Sequence, residues 1–439
     1  MSTRPEMNSP PIAVLGAGLG GLLAAALLAR AGRRVHLYEA LSRPGGRFAD
    51  LMHDGCRLST GALHIIPHGP EGPLMRLLGA LGVRVEAVAP EENYFRYPDG
   101  DRTLRQLRGT FPAGDLARIA GALAMPSLGA RDDESMAAWF ARHDVAPAVR
   151  EVAFAVGGFA LGVSLDELPA REVLRVIRRT VKWGGPLLLQ RGCGSVIEAL
   201  VAAAAEAGVL LHLRSRVDRI LCTNGRCTGV RVDGDVLSAT DVISTLGPSE
   251  TLRLAGEEPF PAAWAESVRG LRPALGLKIS VASPDPLVAF RGILFTPKAR
   301  RLTGVVDLTR IDASYAPAGR HVAMAYFLLR EEDDAAGRRD AVLAEAIAEL
   351  REWLPPFAKA GEILAVQTFP RRWPVNRAVL GRTFSGETPV KGLRLAGDAV
   401  NPPGWMMAEG VAVSALRSVA AVEPAAVRRE WRLDGFLED

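Results

Sequence analysis

Three glycines near the start of the chain have the spacing of a phosphate-binding turn. Gly16, Gly18 and Gly21 match the pattern G-x-G-x-x-G. They follow an apolar run at residues 12–15, typical of a buried parallel strand, and precede a helix-favouring stretch at residues 22–30. In such a unit the glycines allow a tight turn, close approach of the backbone to a pyrophosphate, and close packing of helix on strand. The helix N-terminus adds N–H groups and partial positive charge. These residues predict a dinucleotide site.

One acidic residue strengthens this interpretation. Residues 35–38 are predicted to form a second strand, and Glu39 follows it. A carboxylate at this position, about 20 residues after the turn, accepts hydrogen bonds from an adenosine ribose. A glycine-rich turn in an unrelated α/β protein is the structural alternative. The glycine motif alone is weak evidence, whereas strand, turn, helix and terminal acid together are specific.

Further segments extend the motif and suggest a family. After Glu39 the chain carries SRPGGR at residues 42–47 and GALH at residues 61–64, and near its end it carries RLAGD at residues 394–398. These segments resemble the extended motif of the glutathione-reductase-like flavoproteins, which include amine oxidases and phytoene-desaturase-like enzymes. The resemblance spans nearly the whole chain. It implies FAD as the cofactor and favours the phytoene-desaturase-like branch.

The resemblance also implies roles for individual residues. It places the Asp398 carboxylate on the flavin ribityl chain and the Val217 backbone against the adenine. The backbone of Met407 and Ala408 would face the flavin pyrimidine edge, where a helix N-terminus favours the negative charge of reduced flavin. The implied FAD-binding residues are Gly16, Gly18, Leu19, Gly20, Gly21, Glu39, Ala40, Gly46, Arg47, Gly61, Ala62, Leu63, Val217, Gly397, Asp398, Met407 and Ala408.

Charge and hydropathy limit the classes of partner. A net charge of +4 over 439 residues is small, and no basic run is interleaved with aromatic residues, so nucleic acid is not an expected partner. The apolar stretch at residues 12–31 is interrupted by glycines and too short to span a membrane. We expect a cytoplasmic protein. Peripheral contact with the inner membrane face is left open, with a solvated basic surface as the alternative. The sequence does not determine an oligomeric state.

The cysteines do not have the spacing of a metal site. Cys56, Cys193, Cys222 and Cys227 are scattered, and no metal is expected. Cys222 and Cys227 flank TNGR, a hairpin turn signal, so we expect them to face each other on two strands. In the absence of an export signal, the thiols are expected to be reduced.

The chain is long enough for two domains, and the motifs at both ends indicate that these are interleaved. The predicted fold class is α/β with an α+β second domain. A glutathione-reductase-like Rossmann FAD-binding domain is predicted for residues 1–98, 184–260 and 376–439. A substrate or cap domain, made of an antiparallel sheet and helices, is predicted for residues 99–183 and 261–375.

Finer features of both domains are also predicted. A three-stranded meander is expected from about residue 215 to about residue 239, inside the FAD-binding domain. A helical cap is expected over residues 111–183. Long strands of period two are expected from about residue 260 to residue 376, interrupted by one helix at residues 338–353.

Two residues are candidates for the active site. Lys278 begins an apolar strand, and it matches the position at which amine oxidases keep a lysine that holds a water near flavin N5. The alternative is a strand-end lysine whose amine reaches solvent. His64 follows Gly61-Ala62, which approaches the flavin in this family, and a neutral imidazole there could donate a hydrogen bond or move a proton. A purely structural histidine is the alternative.

The substrate pocket is predicted from the residues before the last helix. Trp405 and Met406 replace the usual small residues of the family and, with Met407, suggest an apolar pocket narrower than a long-polyene tunnel. The sequence also departs from the family at Ser59, where many relatives carry an acid. An aromatic cage for an amine needs a second aromatic side chain beside Trp405, and none can be placed.

The expected activity is that of an FAD-dependent oxidoreductase. It would abstract a hydride from a C–C unit of a lipophilic small molecule, and oxygen or a quinone would reoxidise the flavin. Three alternatives stay open: oxidation of an amine or amino acid, redox-neutral isomerisation with reduced flavin, and a non-enzymatic prenyl-binding carrier of the same fold. The intact phosphate motif argues against the carrier.

Overall fold

The computed structural model describes residues 10–61, 65–125, 129–271, 275–335, 337–369, 384–427 and 433–437. Their strands are β1 Ile12–Leu15, β2 Val35–Tyr38, β3 Asp50–His53, β4 Cys56–Ser59, β5 Ile65–Ile66, β6 Ala87–Val88, β7 Tyr94–Tyr97, β8 Gly100–Thr103, β9 Leu187–Leu189, β10 Leu210–His212, β11 Val217–Thr223, β12 Arg226–Val232, β13 Asp235–Ser238, β14 Asp241–Ser244, β15 Gly276–Ser283, β16 Leu294–Phe295, β17 Leu302–Asp307, β18 His321–Leu328, β19 Glu362–Phe369 and β20 Leu393–Leu395. Their α-helices are α1 Leu19–Arg30, α2 Pro73–Ala80, α3 Leu104–Arg108, α4 Ala113–Ala124, α5 Met136–Arg142, α6 Pro147–Leu161, α7 Ala170–Trp183, α8 Gly192–Glu206, α9 Pro248–Ala255, α10 Ala262–Arg269, α11 Arg339–Trp353, α12 Pro355–Ala360 and α13 Met407–Val422.

A five-stranded parallel sheet in the order β10-β2-β1-β14-β20 organises the first domain. Its central strand β1 is buried on both faces, as its unbroken apolar run predicts. Ile12 and Val14 pack in the core that contains α1, α8 and α13, whereas Ala13 and Leu15 pack in a second core beneath the β11-β12-β13 meander. This alternation follows from the period of two along a strand.

A seven-stranded sheet organises the second domain. Its order is β19-β15-β18-β17-β16-β7-β8, and its pairings are antiparallel except that of β16 with β7. One face packs on α6 and the other on α11 and α12. Helices α4 to α7 form a separate apolar cluster beside this sheet.

Several predictions from the sequence are confirmed. The fold is the expected mixed α/β class with a Rossmann-type parallel sheet, and the meander occupies residues 217–238. The cap helices α4 and α7 begin directly after Pro112 and Pro169. The division into domains stays a prediction at the level of boundaries. Strand β7 differs from the predicted division. It lies before the boundary at residue 98, in the part predicted for the FAD-binding domain, but it pairs within the seven-stranded sheet.

The contact between the glycine turn and α1 makes a prediction. A Cβ at Gly21 would lie 1.9 Å from the Gly16 carbonyl oxygen, whereas a Cβ at Gly79, also in a helix, would meet nothing within 4 Å. We expect Gly21→Ala to lower the free energy of unfolding by about 3 kcal/mol, because backbone cannot yield as a flexible side chain does. Gly79→Ala should change it by at most about 1 kcal/mol, in the stabilising direction. Urea unfolding followed by circular dichroism measures both, and equal midpoints would contradict the prediction.

Candidate cofactor and active site

The first glycine turn is held open by its own backbone geometry. Gly16 has a φ of +93°, which favours glycine, and its N–H donates to the Tyr38 carbonyl at 2.8 Å. Gly18 is the residue before α1. A Cβ added to Gly18 would lie 4.0 Å from its nearest neighbour, the Gly45 carbonyl oxygen. The first-turn N–H groups of α1 have no acceptor within their own helix. The turn therefore leaves both space and donors for an anion.

A second glycine turn lies against the first. The Gly45 N–H donates to the Ala17 carbonyl at 2.8 Å. Gly45 and Gly46 have φ values of +103° and +55°, and a Cβ on Gly46 would lie 3.7 Å from the Gly18 Cα. The structure thus brings together the two turns that the sequence assigned to one diphosphate.

Glu39 connects this turn to the segment that leads to Val217. Its buried carboxylate accepts from the Ala17 N–H at 2.9 Å and from the Leu41 N–H at 2.8 Å, one bond on each oxygen. The Ser215 N–H donates to the Glu39 carbonyl at 2.9 Å, so the start of β11 lies beside the end of β2. Each carboxylate oxygen keeps a lone pair for a further donor, such as a ribose hydroxyl.

An ion pair between Arg47 and Asp398 joins the N-terminal and C-terminal motifs. The Arg47 guanidinium lies 3.2 Å from the Asp398 carboxylate, which also accepts from the Asn401 side chain at 3.2 Å. Gly397 has a φ of +106°, and a Cβ at Gly20 would lie 3.5 Å from the Gly397 Cα. The C-terminal motif is therefore packed directly on the first turn of α1.

Helix α13 begins where the sequence predicted contact with the flavin pyrimidine. Met406 is the N-cap of this helix. Met407, its first residue, has a backbone φ of +51°, which is uncommon for a residue other than glycine. Ala408 is buried in the core with α1. Met407 instead packs against the apolar core on the α6 face of the seven-stranded sheet, so neighbouring residues at the start of α13 contact two different cores.

Trp405 lies in a different environment from its neighbour Met407. Its buried indole packs edge-on against His68 and Phe436, and the Arg179 guanidinium lies 4.0 Å from the ring centroid. These contacts belong to the core of the first domain. The contact between Trp405 and the substrate therefore stays a prediction.

Two buried polar residues that sequence analysis did not single out support this region. Glu409 accepts from the Leu74 N–H at 2.7 Å, and its other oxygen lies 3.7 Å from His68 Nδ1. Both side chains are fully buried. The Glu409 carboxylate therefore binds the first turn of α2, where an anion is favoured. The pattern Glu409-Gly410 and a helix near residues 74–81 were both visible in the sequence, but the contact between them was not.

Lys278 is buried, so the alternative of a lysine reaching solvent is wrong. Its exposed fraction is 0%, and its ammonium nitrogen donates to the Ser59 carbonyl at 2.8 Å and to the Ser59 hydroxyl at 2.7 Å. Burial lowers the pKa of Lys278 from 10.5 to about 7, while the more distant Cys193 and Asp50 act weakly in the opposite direction. Ser59 is a neutral partner, so it leaves the desolvation cost of the charged amine uncompensated.

Side chains on both neighbouring strands surround this lysine. Gln367 and Tyr326 are the direct cross-strand partners of Lys278 on β19 and β18. The Gln367 amide donates to the Thr60 carbonyl at 2.8 Å and the Ser59 carbonyl at 3.2 Å. Its carbonyl oxygen is buried and has no partner among the described residues. Lys278 and Gln367 together hold the strand that leads to Gly61.

The residues present fit an FAD. The glycines at the two turns leave a cradle that side chains would fill, and a buried acid at the end of β2 keeps lone pairs for further donors. The Arg47–Asp398 ion pair joins the second turn to the segment before α13. Bound there, the cofactor would be held by α1, β2 and the β20–α13 segment. Ala62, Leu63 and His64 lie outside the described residues, so the predictions for them stay predictions.

The chain is similar to several known proteins. A family model described as flavin-containing amine oxidoreductase matches residues 19–423. The crystal structure of an oxidoreductase from Methanosarcina mazei superposes with a TM-score of 0.86 at 32% identity, covering 93% of this chain and 99% of that one. Hydroxyneurosporene desaturase of Cereibacter sphaeroides is 28% identical over 68% of each chain. Putrescine oxidase of Kocuria rosea is 28% identical over 57% of this chain and 59% of its own length.

The fold and the site define the protein as an FAD-dependent oxidoreductase. The chain belongs to the family of flavin-containing amine oxidoreductases. The expected cofactor and the expected enzymatic class are thereby confirmed, and the interpretation as a non-enzymatic carrier is at odds with this membership. In the described part of the chain, no helix is both long and apolar enough to cross a membrane.

The environment of Lys278 predicts a pH dependence of stability. Because the pKa of Lys278 is about 7 in the folded protein and 10.5 ordinarily, the unfolded chain binds more protons between these values, and stability rises with pH across that window. The contribution is at most about 1.4 kcal/mol per pH unit. We expect it to vanish in Lys278→Met and to shrink in Ser59→Asp, whose carboxylate would raise the pKa of the lysine.

Urea unfolding of the holoprotein between about pH 7 and pH 10 measures this slope. The exposed Lys391 provides the matched control, since Lys391→Met should retain the wild-type slope. Identical slopes in wild type and Lys278→Met would contradict the low pKa.

Proposed function

We propose that the protein desaturates a lipophilic small molecule by removing a hydride from a C–C unit. FAD, when bound, supplies the hydride acceptor. The residues of the chain orient the substrate, exclude water and hold the cofactor. Oxygen or a quinone is the proposed final electron acceptor.

The observation that carries this proposal is the apolar wall at the start of α13. Met407 packs against a core that includes Phe159, Phe295 and Met324. The Tyr326 ring lies edge-on to Phe159 with centroids 5.3 Å apart, and it packs on the same core. Such a wall favours a substrate recognised by shape and hydrophobic contact.

The proposed cofactor contacts follow from the same arrangement. Backbone groups at the two glycine turns would bind the diphosphate, and Glu39 would bind the adenosine ribose. The Asp398 carboxylate would bind the ribityl chain, with Arg47 holding it in place at 3.2 Å. The start of α13 would direct its backbone N–H groups at the flavin pyrimidine, favouring the charge of the reduced form.

Amine oxidation is the second candidate, and the buried Lys278 favours it. An amine with a pKa of about 7 can hold a water or exchange a proton near neutral pH. Putrescine oxidase is a relative, but the chain matches only 59% of that protein's length. The cross-strand partner Tyr326 is one aromatic residue beside Lys278, and a cage for an amine needs two. Redox-neutral isomerisation is distinguished from both by the absence of net electron uptake.

Anaerobic mixing of the holoprotein with two substrate classes tests the proposal. Polyprenoid hydrocarbons should bleach the flavin absorbance, and the product should contain one more C=C bond by mass spectrometry. Aliphatic amines should leave the absorbance unchanged. Bleaching by amines, with peroxide release once air is admitted, would assign amine oxidation instead. Turnover only after prior reduction, at constant substrate mass, would assign isomerisation.

We further propose that helix α7 docks the protein on an anionic membrane surface, where a lipophilic substrate would be dissolved. The helix AREVLRVIRRTVKW carries five basic residues and one acid, so its net charge of +4 equals that of the whole chain. Val181 is 79% exposed and Ile177 is 37% exposed on this helix. Arg178 donates to the Leu123 carbonyl at 2.8 Å, which brings the end of α4 and its 55% exposed Met125 alongside.

Helix α7 lies next to the candidate active site. Arg179 of α7 lies over the Trp405 ring, and a Cβ at Gly404 would lie 2.9 Å from the Arg175 Cβ. The helix therefore covers the segment that leads into α13. Exposed apolar side chains next to basic ones, as Ile177 and Val181 are to Arg178 and Lys182, are typical of an interfacial helix.

Vesicle flotation of the holoprotein tests this docking. We expect binding to vesicles with anionic phospholipid, weaker binding at high salt, and little binding to zwitterionic vesicles. Val181→Asp should lower the bound fraction about tenfold through lost burial and charge repulsion. Val236→Asp is the matched control, because Val236 is 64% exposed on the distant meander. Equal loss in both variants, or none in either, would contradict the assignment.

A further inference from the structure

Two cysteines of the meander lie directly opposite each other. Cys222 on β11 pairs with Cys227 on β12 across the turn Asn224-Gly225, whose φ values of +51° and +70° are those of a two-residue hairpin turn. Cys227 is buried at 1% exposure, and Cys222 is half-buried at the edge of the same core. Both are free thiols in the structure. The hairpin is thus confirmed, and its pairing brings the two side chains to one face.

The hydrogen-bond pattern shows which type of cross-strand pair this is. The Cys227 N–H donates away from Cys222, to the Lys391 carbonyl at 2.8 Å. The pair is therefore not hydrogen-bonded across the strands, and in antiparallel sheets such pairs bring Cα atoms to about 4.5 Å and side chains closest together. A disulfide needs Cα atoms about 4.4–6.8 Å apart, a range that this type of pair satisfies.

The two thiols also differ in reactivity. Their mutual contact lowers the pKa of Cys222 and raises the pKa of Cys227, which burial raises further. Cys222 is also the more exposed of the two. It is therefore the thiol that meets an external reagent first, with Cys227 behind it as the resolving thiol.

We propose that Cys222 and Cys227 form a reversible intramolecular disulfide by exchange with a small-molecule disulfide. The Cys222 thiolate attacks one sulfur of the reagent, and a new S–S bond forms as the reagent's bond breaks and releases one thiolate. The Cys227 thiol then loses its proton to solvent and attacks the Cys222 sulfur, releasing the second small thiolate. The two protein thiols lose two electrons, and the reagent gains them.

The position of the pair gives the disulfide a structural consequence. The hairpin tip pairs with the segment before β20, because the Lys391 N–H donates to the Gly225 carbonyl at 3.0 Å. That segment continues into Gly397-Asp398, while β11 begins at Val217. The bond would therefore fasten the turn that connects two elements of the proposed cofactor site. This inference does not depend on which substrate the enzyme uses.

Peptide mapping of the wild-type holoprotein tests the proposal. The protein is equilibrated with excess oxidised glutathione, denatured, alkylated and digested with trypsin, which cleaves after Arg226 between the two cysteines. Peptides 220–226 and 227–231 should remain linked and should separate on reduction. Two of the four thiols should be lost to alkylation, while Cys56 and Cys193, both fully buried, should still be alkylated after denaturation.

Separate alkylated peptides, a stable glutathione adduct on Cys222 alone, or linkage through Cys56 or Cys193 would each overturn the proposal. Cys227→Ser supplies an internal check, because it should stop the reaction at the glutathione adduct. Cys56→Ser is the matched control and should still form the linked peptides.

Discussion

The close approach of α1 to the glycine turn is the constraint on which the rest of the structure depends. A Cβ at Gly21 would meet the Gly16 carbonyl, and one at Gly20 would lie 3.1 Å from the Val411 side chain of α13. The N-terminal helix, the glycine turn and the C-terminal helix therefore occupy one packed unit with no room for a methyl group. Segments near both ends of the sequence are therefore packed in one place.

Buried carboxylates reinforce this unit at the starts of two helices. Asp50 accepts from the Cys193 N–H at 3.1 Å at the start of α8, and Glu409 accepts from the Leu74 N–H in the first turn of α2. Each carboxylate accepts from a backbone N–H that has no acceptor within its own helix. The positive end of the helix dipole also stabilises the negative charge of each carboxylate. The charges in the core therefore position helices and leave the redox chemistry to the cofactor.

Lys278 shows how one fold of this family can support different reactions. Its amine is held by a serine and a backbone carbonyl, so burial lowers its pKa to about 7. A carboxylate at the position of Ser59 would keep the same lysine charged. A desaturase and a putrescine oxidase both resemble this chain.

The sequence by itself determined the cofactor half of the protein. The strand, turn, helix and acid from Ile12 to Glu39 are continuous in the chain, so their spacing specifies their geometry through local backbone rules alone. The tertiary structure alone decided the environment of Lys278, because its partner Ser59 is 219 residues away in sequence. It also decided that Trp405 joins the first core while Met407 joins the second. Strand periodicity indicates which residues are buried, but contacts between distant segments depend on sheet order and register, which no local pattern contains.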